Sequence, residues 1–231
     1  MKVIGMIGGI GPESTVDYYK QLLAVYDKRH PNSGLPAIII NSIDVKKALA
    51  LVGANQLDQL AEYFLRELGR LARAGAELGL LSANTPHIIF DELSRRSPLP
   101  LVSIVEATCA EAKRKGFKKV GLFGTRFTMQ AQFYPKVFSR EGIALIVPAA
   151  DEQEYIHDKY VNELIPGKFL DQTRDGLLAI AQCLKAREGI EALILGGTEL
   201  PLILVDHSAP GIPFLDTTEI HVNAVLDEAL R

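Results

Sequence analysis

Short, nearly continuous apolar runs alternate along the chain with longer segments in which apolar residues recur every three or four positions. The short runs predict buried β-strands, and the longer segments predict amphipathic helices. Strands are expected at Val3–Ile7, Ala37–Ile40, Leu78–Leu81, Leu101–Ile104, Val120–Phe123, Ala144–Val147 and Ala192–Leu195. Apolar strands that alternate with helices are typical of parallel sheets covered on both faces, so the sequence predicts an α/β fold.

Three helices are clear from their periodicity. The first runs from about Asn55 to Ala74, and Gly75 then suits the left-handed residue that ends a helix. Its expected buried stripe consists of Leu57, Leu60, Phe64, Leu68 and Leu71. The other two helices are expected at about Phe169–Arg187 and Thr218–Leu230.

A weak internal repeat divides the chain. Lys2–Gly8 is similar to Lys119–Gly124, and the strand and turn around Ala83 are similar to those around Gly197. This predicts two similar α/β domains related by a pseudo-twofold, one formed by residues 1–100 with 210–231 and the other by residues 101–209. Ligands bind at the carboxyl ends of parallel strands. If two such halves face each other, the loops after Gly8 and Gly124 and the turns at Ala83 and Gly197 are expected to surround one cleft.

Composition narrows the class of partner. The 231 residues carry a net charge of −3, and the cationic residues are scattered without the basic stripe that nucleic-acid binding requires. No apolar stretch approaches the roughly 20 residues of a membrane span, and no signal peptide is visible, so a cytoplasmic protein with a small ligand is expected. The only two cysteines exclude a disulfide framework or a metal-ligand cluster.

The loop after the first strand opens a helix, with Pro12 well placed for the first turn. The spacing Gly9-x-Gly11 resembles part of a dinucleotide-binding loop. However, Ser14 replaces the third glycine, and no acidic residue ends Ala37–Ile40, so a nucleotide cofactor is not expected. Two alternatives remain: a tight turn without a ligand, or a helix N-terminus whose N–H groups hold a carboxylate.

Five segments in order along the chain combine such strand ends with glycine, threonine or asparagine: Met6–Thr15, Ala83–His87, Gly124–Met129, Gly197–Pro201 and Asp216–His221. Together they resemble the motifs of the aspartate/glutamate racemase family of cofactor-independent amino-acid racemases. Each motif alone is weak, but the five span nearly the whole chain. The resemblance implies two Rossmann-like domains, a homodimer, an isomerase activity and no cofactor.

In that family an acidic amino acid binds between two cysteines, of which one removes the α-proton and the other returns a proton to the opposite face. The resemblance places Ala83 and Gly197 at the two cysteine positions. A methyl group and a hydrogen cannot carry a proton. A positioned acid or base contributes roughly 10²–10⁴ in rate, so we do not expect two-thiol racemisation from this chain.

The resemblance also implies residues that bind the substrate's carboxylates or amino group. They are Gly9, Asn84, Thr85, Thr125, Thr128 and Thr198. Lys47 (or Lys46), Lys168 and Arg126 are expected cationic anchors, and the alternative for each is an exposed, solvated side chain.

Five other residues could replace the missing acid–base groups. His87 is a candidate because histidine side chains ordinarily titrate near neutrality, although a histidine that caps or hydrogen-bonds its own loop is the favoured alternative. Glu199 lies beside the second vacant position and resembles a supporting residue more than a base. His221 is expected to be structural, and Cys109 and Cys183 to be small core residues.

Three hypotheses for the function follow. The first is an enzyme acting on an α-amino acid or a related small carboxylic acid, with thiol chemistry lost or altered and a site enlarged by the missing side chains. The second is a non-catalytic protein that binds a carboxylate or an amino acid on a racemase fold. The third is a cysteine-substituted variant of an amino-acid racemase.

Overall fold

A computed structural model describes residues 1–205, 208–209 and 211–231. The chain forms two compact units. The first consists of Met1–Ile104 together with His221–Arg231, and the second is the continuous segment Val105–Ile220.

The first unit contains a three-stranded parallel sheet in the order β2-β1-β3. Its elements are β1 (Ile4–Gly8), α1 (Pro12–Arg29), β2 (Ile38–Ser42), α2 (Val45–Gly53), α3 (Leu57–Arg73), β3 (Leu78–Leu81), a 3-10 helix (Thr85–Ile89) and α4 (Phe90–Arg96). The larger part of the last helix, α11 (Thr217–Ala229), also belongs to this unit.

The second unit has five strands in the order β5-β4-β6-β8-β7, all parallel except β7, which pairs antiparallel with β8. It begins with α5 (Ile104–Arg114), β4 (Lys119–Gly124), α6 (Arg126–Gln130), α7 (Phe133–Arg140), β5 (Ala144–Ile146) and α8 (Ala150–Lys159). It continues with a π-helix (Tyr160–Leu164), α9 (Asp171–Glu188), β6 (Ala192–Gly196), α10 (Leu200–Ile203), β7 (Ser208–Ala209) and β8 (Ile212–Asp216).

The α/β prediction is confirmed, and so are the clearest helices. Four residues of the expected stripe on α3 are buried, and Gly75 has a φ of +98°. The expected apolar face of α11 is also buried. It packs in one core with β1, α1 and β3 through Val222, Val225, Leu226 and Ala229.

Two segments lie on the other side of the predicted domain boundary. Leu101–Ile104 was expected to be a strand of the second domain, but only Leu101 pairs, in parallel with Gly79, and a helix begins at Ile104. Residues 211–220 were expected in the first domain, yet β8 pairs with β6 in the second unit. Residue 210, where the boundary was placed, lies outside the described residues. The sequence did not predict β8 because Pro213 interrupts its apolar run.

Among the described residues, no helix is long and apolar enough to cross a membrane.

Candidate active site

The carboxyl ends of β1 and β3 lie side by side in the first unit, where Ile7 pairs with Leu81. Directly after β3, Ser82 donates hydrogen bonds to the Ile7 carbonyl from its backbone nitrogen at 3.0 Å and from its hydroxyl at 3.1 Å. The loops that carry Gly9 and Ala83 therefore start from neighbouring positions, at the sheet edge where α/β proteins bind ligands.

Gly9 forms the turn between β1 and α1. Its φ of +76° is a left-handed conformation, and a Cβ at this position would lie 2.4 Å from the Ile43 carbonyl oxygen, so only glycine fits. Its N–H donates to the Thr15 hydroxyl at 2.9 Å, which in turn donates to the Gly11 carbonyl at 2.9 Å. The Gly9 N–H is thus used within the loop, which favours the tight turn for this residue.

The segment after β3 carries the residues of the first unit that the resemblance expects to contact the substrate. Ala83 is 8% exposed, Asn84 is buried, and the half-buried Thr85 begins the 3-10 helix. The His87 N–H donates to the Asn84 carbonyl at 2.9 Å and so closes the turn. At position 83 this turn presents only a methyl group, which has no proton to exchange.

His87 is fully buried, and backbone groups contact both of its ring nitrogens. The Ile104 N–H donates to Nε2 at 3.2 Å, so Nε2 is the acceptor and Nδ1 carries the hydrogen, which faces the Ala83 carbonyl at 3.1 Å. Burial and the nearby His221 lower the pKa of His87 to about 3. This geometry favours the hydrogen-bonding role of His87 over an acid–base role.

His221 is buried beside His87, with ring centroids 6.4 Å apart. Its Nε2 lies 3.0 Å from the Val102 carbonyl and must donate to it, so Nδ1 accepts from the Tyr18 hydroxyl at 2.9 Å. Burial lowers the pKa of His221 to about 4. The two histidines are therefore neutral at pH 7 and hydrogen-bond four segments to one another, namely α1, the turn after β3, the backbone at Val102–Ile104 and α11, in keeping with the structural role expected for His221.

The carboxyl ends of β4 and β6 form the corresponding edge of the second unit, where Gly124 pairs with Gly196. The Thr125 hydroxyl caps α6 by accepting from the Thr128 N–H at 3.2 Å. The Thr128 methyl group lies 2.9 Å from where a Cβ on Gly124 would be and 3.3 Å from the same point on Gly196. The two threonines are buried and pack against both strand ends.

Gly197 follows β6 at this edge, and the ring of Tyr160 occupies the space beside it. A Cβ on Gly197 would lie 2.4 Å from Tyr160 Cε2 and 2.7 Å from the phenol oxygen. The expectation that the missing side chain enlarges the site is therefore wrong at Gly197, because a side chain from elsewhere in the unit fills the volume.

Tyr160 and Glu199 are both buried and hydrogen-bonded to each other. The phenol donates to Glu199 Oε2, and the Thr198 hydroxyl donates to the same oxygen at 3.2 Å. Burial, reinforced by the negative charge of Glu199, raises the pKa of Tyr160 well above its usual value, so the phenol keeps its proton at neutral pH. Sequence reasoning missed Tyr160. The sequence feature that points to Tyr160 is the glycine at position 197. It leaves room for a bulky neighbour but does not identify which residue that is.

The expected cationic anchors lie at the protein surface. Lys47 is exposed on α2 and lies 4.6 Å from the Tyr63 ring centroid, in a surface cavity of about 320 Å³ that Asp58 and Glu62 also line. Lys46 and Lys168 are exposed as well. Arg126 forms an ion pair with Glu154 at 2.9 Å. Their role as anchors stays a prediction, and the solvated alternative describes the surroundings of the three lysines, whereas Arg126 is only partly exposed.

The two cysteines differ in their environment. Cys109 is buried on α5, and burial raises the pKa of its thiol to about 11, so it is no thiolate at neutral pH. Cys183 is exposed on α9, so the expectation of a core residue is wrong for Cys183. The reason is that the apolar stripe of α9 lies along Leu177, Ala181 and Leu184. In the described ranges no group of three or more His, Cys, Asp or Glu side chains is placed to hold a metal ion.

The similarity to known proteins covers the loops at the carboxyl ends of both sheets. The Asp/Glu/Hydantoin racemase family model matches residues 7–225. The chain belongs to this family. It is 24% identical over 230 residues to the broad specificity amino-acid racemase RacX of Bacillus subtilis, covering 94% of this chain and 93% of that protein.

Two solved structures support the same family assignment over their full lengths. A candidate Asp/Glu racemase from Yersinia pestis shares 31% identity with a TM-score of 0.88, and both chains are covered completely. An aspartate racemase homologue from Pyrococcus horikoshii shares 33% identity with a TM-score of 0.84, again with complete coverage of both chains. The resemblance to the racemase family is confirmed, and the family and its named members support a racemase-type enzyme.

Proposed function

We propose that this racemase-family protein is an enzyme that binds an α-amino acid or a related small carboxylic acid and moves a proton at its α-carbon without a pair of thiols. The observation that carries the proposal is that the polar positions expected to bind substrate are kept while the two cysteine positions have lost their thiols. Polar residues line both sheet edges, whereas Ala83 and Gly197, the positions where the resemblance expects cysteines, have no ionisable group.

The polar residues suit a carboxylate. Threonine hydroxyls and the asparagine amide donate hydrogen bonds, which is what an anionic oxygen needs. Thr125, Thr128 and Thr198 are buried at the carboxyl ends of β4 and β6, and a hydrogen bond to a charged group is stronger where water is excluded. That RacX is a broad specificity amino-acid racemase supports a substrate panel wider than aspartate and glutamate.

Exchange of the α-proton tests this proposal directly. The protein is incubated with acidic, neutral and aromatic amino acids in deuterated water, and loss of the α-proton signal and formation of product are followed by NMR. We expect exchange with at least one acid, and Thr198→Val should weaken it by removing a hydroxyl at the β6 end.

Thr108→Val is the matched control, since Thr108 is a buried threonine on α5. It should leave exchange unchanged. The absence of exchange and turnover with every acid in the panel would contradict the proposal.

A binding protein is the second candidate, favoured by the methyl group at Ala83 and by the two backbone contacts that occupy the His87 ring. Calorimetry with aspartate, glutamate and dicarboxylates would then show binding in a sample that converts none of them. Turnover of any bound ligand would exclude this function.

A cysteine-substituted racemase is the third candidate. The paired substitution Ala83→Cys with Gly197→Cys should then give fast racemisation. Because Tyr160 fills the space beside Gly197, the pair should be compared with and without Tyr160→Ala. Slow racemisation in both backgrounds would count against this origin.

We also propose, from the family resemblance, that the protein is a homodimer. Light scattering coupled to size-exclusion chromatography measures this, and a mass near the 25.3 kDa of one chain would contradict it.

A further inference from the structure

The Tyr160 phenol stands where the side chain of residue 197 would otherwise extend. Its oxygen is 2.7 Å from the ideal Cβ position of Gly197. This sheet edge therefore still carries a titratable group, although residue 197 is a glycine. A phenol carried by another element takes the volume that the resemblance gives to the second cysteine.

Glu199 completes a pair with this phenol. The Tyr160 hydroxyl donates to Glu199 Oε2, so one proton lies between two oxygens that can both hold it. The carboxylate is 2% exposed and also accepts from the Thr198 hydroxyl at 3.2 Å. Hydrogen bonds in such a water-poor environment are electrostatically strong and hold their geometry.

The local backbone supports a special role for Tyr160. It begins a π-helix, Tyr160–Leu164, that directly continues α8. Such short π-helical segments are rare and frequently occur at functional sites. Here the segment directs the Tyr160 ring toward the end of β6.

We propose that Tyr160 and Glu199 form a proton relay that replaces the second thiol, an inference that rests on the proposed function. In one direction the substrate's Cα–H proton passes to the phenol oxygen while the phenol proton passes to the Glu199 carboxylate. The electron pair of the C–H bond stays on the substrate as a carbanion stabilised by its carboxyl group. In the other direction Tyr160 protonates the carbanion as Glu199 returns its proton to Tyr160. A solvent deuteron enters the substrate when the protons held by Tyr160 and Glu199 exchange with water before this return step.

The relay has no counterpart at position 83. Ala83 offers only a methyl group. A single relay serves one face of the substrate, so the proton leaves and returns on that face. The expected reaction is therefore exchange of the α-proton with retention of configuration, rather than conversion of one enantiomer into the other.

A packing role alone makes a different prediction. Tyr160 belongs to a buried cluster that includes Phe123, Leu164 and Leu177. If packing were its only role, phenylalanine would replace it without loss of exchange, because the ring would be retained.

The test measures deuterium exchange into an enantiomerically pure acid that the native protein turns over. Tyr160→Phe and Glu199→Gln should each lower kcat for exchange by about 10²–10⁴ with little change in KM, because a positioned acid or base contributes that much. Tyr134→Phe is the matched control, since Tyr134 is a fully buried tyrosine of the same unit on α7, and it should keep the native rate.

A second variant keeps the shape of the site. A fluorinated tyrosine at position 160 makes the phenol more acidic while retaining its ring and hydroxyl, so the exchange rate should change. Circular dichroism and thermal unfolding confirm that each variant is folded.

The outcomes separate the two proposals. Native exchange that survives Tyr160→Phe and is indifferent to fluorination would overturn the relay and leave the proposed function standing. Exchange accompanied by full racemisation would overturn the one-face mechanism. The absence of exchange in the native protein with any acid would overturn both.

Discussion

At the residue scale, Gly197 and Tyr160 share one volume. The missing side chain of one is balanced by the ring of the other, since a Cβ at 197 would come within 2.4 Å of Cε2. Residues in such close contact do not contribute independently to stability, because a change in one alters the space available to the other. A thiol cannot be restored at 197 without moving the phenol.

We predict that Gly197→Cys lowers the free energy of unfolding by about 1–3 kcal/mol, the usual cost of overpacking a well-packed interior. Tyr160→Ala alone should cost about 3–5 kcal/mol because it removes a buried ring, but the loss in the double variant should be smaller than the sum of the two single losses, with a coupling of about 0.5–3 kcal/mol. Urea unfolding of the two single variants and the double variant measures it. Gly53→Cys is the control because a Cβ there meets open space. Strict additivity would show that the two residues do not compete.

The site could be predicted from the sequence only in part. Thr125 and Thr198 belong to motifs that follow strands, so their positions at the carboxyl ends of β4 and β6 follow from the order of elements. Tyr160 belongs to no such motif, and it contacts Glu199 across 39 residues of sequence. That contact depends on how the π-helix packs against β6, which no local pattern encodes.

At the element scale, the closing segment of the racemase motifs forms the start of α11. Asp216 Oδ1 accepts from the Thr218 N–H at 2.8 Å and from the Glu219 N–H at 3.1 Å. The Thr217 hydroxyl donates to the Leu195 carbonyl at 2.7 Å and ties the helix start to β6. The sequence predicted the helix and its buried face through periodicity, whereas β8 before it was hidden by a proline in a short run.

The Asp216 side chain caps the start of α11, and its removal should weaken this helix measurably. We predict that Asp216→Ala lowers the free energy of unfolding by about 1 kcal/mol, because two N–H groups of the first turn lose their acceptor. Asp216→Asn keeps an oxygen acceptor and should retain most of the stability. Urea denaturation provides the comparison, with Asp151→Ala, an exposed acid in the first turn of α8, as control. Equal losses in Asp216→Ala and Asp151→Ala would argue against the cap.

At the scale of the whole molecule, His87 and His221 link stability to pH. Both are buried and neutral, with pKa values lowered to about 3 and about 4 from the ordinary 6.5. At a pH between the lowered pKa values and 6.5, the histidines of the unfolded chain bind protons that those of the folded protein do not. Stability is therefore fully present above about pH 6.5 and is lost as the pH falls through this window.

We predict that unfolding takes up about two protons at these histidines near pH 5, so that the free energy of unfolding rises with pH there. His87→Gln should remove about one of them and flatten the slope, whatever it does to stability at neutral pH. Urea unfolding at a series of pH values gives the slope, and His30→Gln changes the histidine count without touching the buried pair. A slope identical in native protein and His87→Gln would refute the assignment.

The first unit is built from two segments that are separated in sequence by the whole second unit. Val222, Val225 and Leu226 pack with residues of β1 and α1, and the Lys2 N–H donates to the Ala229 carbonyl at 2.8 Å. During synthesis Met1–Ile104 leaves the ribosome before Val105–Ile220, whereas the helix that covers Tyr18 and Leu22 leaves it after that segment. The continuous segment Val105–Ile220 is complete before then. The unit that is translated first is thus completed only after the second unit has been synthesised, in contrast to the usual order in which the N-terminal domain folds first.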